Sequence, residues 1–398
     1  MNPLVNPFSP GAGSPPPELA GRDPILEKAR IALGRIKLGR PEKSFLLVGL
    51  RGVGKTVLLN RIREMAEETG YKTVFIEAHE DKALAALLLP SLRQLLYSLD
   101  RMEHVSEKVK RGFRILRSFF NGVKVRVQDI EFGLDIDPET GVADSGDLEF
   151  DLPLLFEAIA EAAAERKVAV AIIIDELQYF SEIELSSLIM AVHRITQKSL
   201  PLVFVGAGLP QLVGLAGRSK SYAERLFDFP LVGPLNKQEA VNALQAPVKV
   251  QNVYFTEDAI QEIIDKTQGY PYFIQEWGYQ AWNTATSSPI DLSSAREATS
   301  KSIIRLDESF FRVRFDRLTP REKEYLRALA GLGTENHRSG DVAEKLGARV
   351  QSVAPIRNSL VKKGMIFSPA HGDTEFTVPL FGEFMKRIMP CTGSMHLS

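Results

Sequence analysis

The chain has little cysteine or histidine to work with. Its 398 residues include one cysteine, Cys391, and six histidines. A single thiol closes no intrachain disulfide and builds no cysteine-based metal site, which fits a reducing, cytoplasmic setting. His193 lies beside the apolar face of a helical stretch, and no other histidine stands at metal-ligand spacing from it. A structural or surface role is expected for it. No apolar run approaches the roughly 18 residues needed to span a bilayer, and the longest, Val168–Ile174, has the length of a strand. No membrane partner is expected. Charge of one sign is also missing: the formal net charge is -1. The molecule as a whole is therefore neither a basic nucleic-acid coat nor an acidic tail, and any nucleic-acid binding must come from a local patch. Residues 1–17 hold six prolines and no basic residue. They lack the charged and apolar regions of a signal peptide and read as a disordered lead.

What is present is a chain long enough for two or three domains with a large buried core. Apolar residues recur at helical spacing in Ile25, Leu26, Ala29, Leu33 and Ile36. Short apolar runs then alternate with helical stretches. Strands are expected over Ser44–Val48, Thr73–Glu77, Val168–Ile174, Leu202–Val205 and Phe227–Val232. Helices are expected over Val53–Glu68, Lys82 to about Arg101, and Leu152–Arg166. This alternation implies an α/β fold with a parallel sheet covered on both faces. Residues 101–151 read as an insertion. Arg101–Arg126 carries eight basic residues against two acidic, Val127–Asp151 carries nine acidic and none basic, and alternating apolar residues from Val123 to Ile136 suggest a β-hairpin. After Pro234 the pattern turns all-helical to Trp282.

Gly49-Leu50-Arg51-Gly52-Val53-Gly54-Lys55-Thr56 fits the P-loop pattern GxxxxGK[ST], with a strand before it and a helix after it. Glycines let backbone N–H groups approach phosphate oxygens with no Cβ in the way, and the helix directs its positive end at the same anions. The phosphate cradle is therefore Gly49, Gly52, Val53, Gly54, Lys55, Thr56 and Val57. Lys55 supplies a point charge to the outer phosphates, and Thr56 offers a hydroxyl to Mg²⁺. The apolar run Val168–Ile174 ends in Asp175 and Glu176. Asp175 is expected to serve the magnesium ion, and Glu176 to orient the water that attacks the γ-phosphate. The expected cofactors are ATP and Mg²⁺.

With these motifs in this order, the chain resembles the AAA+ ATPases, and within them the origin-recognition-like and archaeal-type ATPases, over roughly residues 20 to 390. The resemblance implies a P-loop NTPase sheet over residues 18–233, a helical lid over 234–310 and a C-terminal winged helix over 317–390. It implies that Arg22, in Ala20-Gly21-Arg22-Asp23, contacts adenine. It also implies that Arg225, just before the fifth strand, is an arginine finger reaching a neighbouring subunit's nucleotide; a surface ion pair with Glu224 or Glu239 is the other reading of that residue. The family keeps a polar sensor at the end of the fourth strand, where this chain has Gly206-Ala207-Gly208. Gln178 either substitutes for it or faces solvent or a loop, and the second reading is preferred. The lid's second sensor is often an arginine three residues after the glycine; here Gly269 is followed by Tyr272 at that place, and Gly269 with Pro271 reads as a helix end and a helix start. Trp277, Tyr279 and Trp282 are expected to pack the lid.

The C-terminal module reads as three helices and a hairpin, a helix-turn-helix variant. Thr319 caps the first helix with Pro320 at its first position; Ser339–Leu346 and Val350–Lys363 follow; Met365–Phe367 and Glu375–Val378 flank a turn. Twelve Lys/Arg against eight Asp/Glu from Arg317 to Pro390 leave a modest positive excess. Arg349, Arg357, Asn358, Lys362 and Lys363 are the expected DNA contacts. The overall expectation is a self-associating ATP switch that binds duplex DNA. The competing expectation is a signalling, mobile-element or defence ATPase whose C-terminal module binds a protein partner.

Overall fold

The computed structural model describes residues 1–11, 13–100, 106–123, 137–333, 337–369 and 372–390. The expected hairpin lies almost wholly outside these residues, as does Cys391. The described chain divides into two compact units, one of Arg22–Gly49 with Lys55–Val232, the other of Met1–Gly21, Leu50–Gly54 and Gly233–Ser398.

The first of these units is a five-stranded sheet in the order β2-β3-β4-β1-β5, with every pair parallel. The strands are β1 (Ser44–Val48), β2 (Lys72–Glu77), β3 (Val170–Asp175), β4 (Leu202–Gly208) and β5 (Phe227–Asp228). β1, β3 and β4 are buried along their whole length. They sit inside the sheet with both faces covered, which is why they read as continuous apolar runs rather than alternating ones. The covering helices are α1 (Asp23–Lys37), α2 (Lys55–Glu68), α3 (Leu84–Asp100), α4 (Glu107–Val123), α5 (Leu148–Glu165), α6 (Glu182–Gln197), α7 (Gln211–Ser219) and the single turn α8 (Ala223–Leu226). Ser181 caps α6 in a reciprocal capping box with Glu184, which satisfies two backbone donors that a helix start leaves open.

The charge segregation of residues 101–151 has a structural account in its described part. α4 buries Val109, Phe113, Leu116 and Phe119 in the same core as α3 and α5. On its exposed side Arg111 pairs with Glu139 (3.1 Å) and Glu161 (3.7 Å), and Arg114 with Glu139 (3.8 Å). Part of the basic run is thus neutralised by the acidic run that follows it.

The second unit carries α9 (Lys237–Lys249), α10 (Glu257–Thr267), α11 (Pro271–Thr284) and α12 (Leu292–Arg305), which a π-helical turn, Leu306–Phe311, extends into α13 (Arg312–Asp316). Gln268 and Gly269 are both left-handed, with φ of 52° and 71°. They end α10, and Pro271 starts α11 at a position where its missing N–H costs nothing. Trp277 and Trp282 are buried and bonded, to Thr299 Oγ1 and Asn2 O (both 2.9 Å). Tyr272 stacks on Phe310, and its N–H donates to Gly52 O (3.2 Å).

The proline-rich lead departs from its expectation as a disordered segment. Asn6 Nδ2 donates to Tyr279 O and Asn283 Oδ1 (both 3.0 Å), and Phe8 is 2% exposed. Its ring lies where a Cβ on Gly278 would be, 2.6 Å from two ring carbons. Local composition argued for disorder; burial of one aromatic ring against a helical glycine overrides it.

The C-terminal module holds α14 (Pro320–Ala330), β6 (His337–Arg338), α15 (Ser339–Lys345), α16 (Val350–Lys362), β7 (Ile366–Phe367), β8 (Asp373–Phe376) and α17 (Phe381–Ile388). Its sheet order is β6-β8-β7, antiparallel throughout. Thr319 and Glu322 form the capping box that begins α14. Three helices followed by the β7–β8 hairpin keep the order expected from the sequence, and β6 and α17 are additional.

Candidate nucleotide site

The site begins where β1 ends. Gly49 N–H donates to Gly208 O (3.1 Å), which continues the β1–β4 pairing by one residue. The chain then turns through two left-handed glycines, Gly52 (φ 84°) and Gly54 (φ 93°), and enters α2 at Lys55. A side chain would be strained in that backbone conformation. At Gly54 an added Cβ would meet nothing within 4 Å, so backbone shape rather than crowding asks for glycine there.

α2 begins at this turn, and the N-terminal end of a helix, with its N–H groups pointing outward and its positive dipole end, favours anions. Lys55 is 5% exposed, and its Nζ donates to Gly49 O (2.8 Å), bridging the two ends of the loop. Val53 is buried and Val57 half-buried. Thr56 Oγ1 donates to Asp175 Oδ2 (2.6 Å), which brings the end of β3 to the start of α2. The other oxygen of Asp175 accepts the Glu176 N–H (2.8 Å). Burial raises the Asp175 carboxyl above its ordinary range; the Thr56 hydrogen bond and the Lys55 charge oppose that rise, and the Glu176 charge adds to it.

Glu176 is left-handed (φ 57°, ψ 38°) although it carries a side chain. Such strain in a residue other than glycine is concentrated at functional sites. Its carboxylate is bonded by Gln178, whose Nε2 donates to Glu176 Oε2. Gln178 Oε1 accepts the Leu209 N–H (3.0 Å). Of the two placements expected for Gln178, solvent or a loop, it takes the second: it is half-buried and bonded at both ends of its carboxamide, one end to Leu209 just after β4. Its spacing from Glu176 was the only sequence signal for this.

The remaining expected residues are placed as follows. Arg22 is buried at the start of α1, a helix that packs on α2. Arg225 is exposed on α8, and among the described residues of its own unit it forms no ion pair, Glu224 included. His193 rests its ring against Tyr222, 4.4 Å between centroids. In the C-terminal module, Arg349, Asn358 and Lys362 are exposed. Two of the expected DNA contacts also bond within the module. Arg357 donates to Thr374 Oγ1 (3.0 Å) and Asp373 O (2.9 Å), and Lys363 Nζ bonds Glu322 Oε2 (2.7 Å). Among the described residues no group of three or more His, Cys, Asp or Glu side chains is placed to hold a metal by itself. Nor is any described helix long and apolar enough to cross a membrane.

Residues 18–205 match the AAA ATPase domain family, and residues 308–385 match a domain of unknown function. None of the curated proteins matches the chain. The fold is similar to that of the Walker-type ATPase PABY2304 of Pyrococcus abyssi, at 17% identity and a TM-score of 0.55, over 92% of this chain and 96% of that one. It is also similar to the Aeropyrum pernix ORC2 protein in its ADP form, at 14% identity and a TM-score of 0.53, over 96% and 98%. At such identities the likeness is one of fold.

Proposed function

We propose that this chain, whose residues 18–205 match the AAA ATPase domain family, is a slow ATP-hydrolysing switch that carries ATP state to duplex DNA. The observation that supports hydrolysis most is the convergence of Thr56, Asp175 and Glu176 beside Lys55: a hydroxyl and a carboxylate 2.6 Å apart, with a second carboxylate on the next residue. A hydroxyl paired with a buried carboxylate is an oxygen donor set suited to Mg²⁺, which prefers oxygen ligands and keeps several waters. The left-handed glycines and the start of α2 suit a triphosphate. The residues present therefore fit both groups.

In this reading the loop N–H groups and Lys55 bind the phosphates, Arg22 meets the base, and Thr56 and Asp175 hold the metal. The metal, when bound, offsets charge on the phosphate oxygens. Glu176 orients the attacking water and draws its proton. Arg225, exposed and without an ion pair, reaches the nucleotide of a second copy and stabilises charge on the transferring group. Residues 18–233 carry the nucleotide, 234–310 act as lid and 317–390 as the DNA-binding module, in a cytoplasmic protein.

A second reading has its own support. Arg357 and Lys363 are tied into the C-terminal module, which leaves Asn358 and Lys362 exposed on one side of α16 and Arg349 exposed at its N-cap. That face also suits a protein partner, as in a signalling or mobile-element ATPase. ATP turnover, measured with and without duplex DNA across a range of protein concentration, separates the readings. Turnover that rises with concentration and changes with DNA supports the switch, whereas concentration-dependent turnover blind to DNA favours the protein-partner reading.

A further inference from the structure

We propose that Gln178 is a positioning residue that ties the Glu176 carboxylate to the end of β4, in the place where a side chain of β4 itself would otherwise reach it. This rests on the hydrolytic role of Glu176 proposed above. A carboxylate that orients water must present one oxygen in a constant direction. Glu176 stands at the end of β3 on a left-handed backbone, and the 3-10 turn Leu177–Tyr179 follows it at once. Nothing in the regular part of the sheet holds its side chain.

Gln178 supplies that hold through both ends of one carboxamide. Oε1 accepts the Leu209 N–H (3.0 Å) and Nε2 donates to Glu176 Oε2. Only this orientation of the amide satisfies both partners, because the reverse would face N–H with NH₂ and oxygen with oxygen. Glu176 Oε1 is left to the attacking water.

The glycines of β4 make room for this arrangement. A Cβ on Gly208 would lie 2.9 Å from Gln178 Oε1 and 3.0 Å from Leu212 Cδ2. A Cβ on Gly206 would lie 2.3 Å from Leu177 Cδ1 and 2.8 Å from Leu46 Cδ2. Gly206 and Gly208 thus seat Leu177 and Gln178, the two residues directly after Glu176. The absence of a polar side chain at the end of β4 and the presence of Gln178 are two sides of one packing solution.

The test separates positioning from mere support of the turn. Gln178→Glu keeps an oxygen acceptor for Leu209 N–H but removes the donor to Glu176; Gln178→Ala removes both. Three quantities are read on each variant: kcat and KM for MgATP, the Kd for MgATP, and hydrogen exchange of the Leu209 amide. We expect both variants to lose kcat on the order of 10²-fold, with Kd changed less than about threefold. The Leu209 amide should exchange faster in Gln178→Ala and stay protected in Gln178→Glu. Gly208→Ala, which crowds the carboxamide from the other side, should lower kcat without touching Gln178, and it serves should Gln178→Ala fail to fold. Adding Gln178→Ala to Glu176→Gln should cost nothing further, because the glutamine acts through the glutamate. If Gln178→Glu and Gly208→Ala turned over at the wild-type rate while wild type hydrolyses ATP, the positioning role would be wrong and the hydrolytic site would stand. A wild-type protein that binds MgATP and never hydrolyses it would overturn both.

Discussion

Thr56 and Asp175, 119 residues apart in the chain, meet at 2.6 Å, hydroxyl on carboxylate. The contact joins the first turn of the helix after the phosphate loop to the end of the central strand β3. It places a charged group, 2% exposed, where a folded protein would not ordinarily keep one.

That cost leads to the first prediction. Burial raises the Asp175 carboxyl, so the ionised form is disfavoured in the folded protein. Asp175→Asn removes the buried charge and keeps an oxygen for the Thr56 hydroxyl, but sets an NH₂ against the Glu176 N–H, and the two changes oppose each other. The nucleotide-free variant should therefore melt close to wild type, while the gain in ATP affinity on adding Mg²⁺ should fall about tenfold or more. Thermal melting paired with ATP titrations at two Mg²⁺ concentrations reads both effects; a large drop in Tm with normal Mg²⁺ dependence would contradict the assignment.

The second concerns the C-terminal module. Burial pushes the Glu322 carboxyl up, but Lys363, the Thr319 backbone and hydroxyl, and Ser359 hold it down at about 2. Its folded value lies below its ordinary value of 4.5. Its contribution to stability is therefore complete above about pH 4.5, and is lost as pH falls from there toward 2. Glu322→Gln should remove up to about 3 kcal/mol at neutral pH and flatten the acid limb of the stability curve. Denaturant unfolding at pH 7 and pH 3 checks this, and an unchanged acid limb in the variant would count against it.

Much of the site was legible in the sequence because its signals are local. The P-loop spacing, the apolar run of β3 and the carboxylates at its end are contiguous strings, and buried parallel strands announce themselves by lacking alternation. The parts that stayed hidden are long-range. Phe8 needs Gly278 to be buried, and no local rule foretells that pairing. Lys363, at the end of α16, looks available to phosphate until Glu322, 41 residues earlier, is seen to bond it. Gln178 reads as a loop residue until the glycines of β4 are seen to seat it. The two-residue strand β6 exists only through its pairing with β8.

The third prediction places Arg225 in a neighbouring subunit's site. Turnover per subunit should rise with protein concentration, and Arg225→Ala should slow it without weakening ATP binding. Arginine fingers are worth about 10³–10⁵ in rate in small GTPases, and a smaller loss is expected here. Mixing Arg225→Ala with Lys55→Ala subunits should restore part of the activity, since each supplies what the other lacks. No rescue, together with turnover independent of concentration, would remove Arg225 from the mechanism.

The fourth separates two neighbouring lysines. Lys362 is exposed, whereas Lys363 bonds Glu322. Lys362→Ala should weaken binding to every duplex alike, with a salt dependence shallower by about one unit of slope. Lys363→Ala should mainly lower the melting temperature of the module. Arg349 and Asn358 variants should shift sequence preference. Fluorescence anisotropy across salt concentrations, alongside melting curves, distinguishes these effects; no duplex binding by the wild type with ATP at low salt would transfer the module to the protein-partner reading.

The central claim is that Lys55 binds nucleotide and Glu176 turns it over. Its most direct measurement is single-turnover hydrolysis of MgATP, with the binding constant taken on the same samples, for wild type, Lys55→Ala and Glu176→Gln. Lys55→Ala should bind no nucleotide at concentrations that saturate wild type. Glu176→Gln should bind as wild type does and hydrolyse at least about 10²-fold more slowly. Wild-type hydrolysis by Glu176→Gln, or wild-type affinity in Lys55→Ala, would contradict the account.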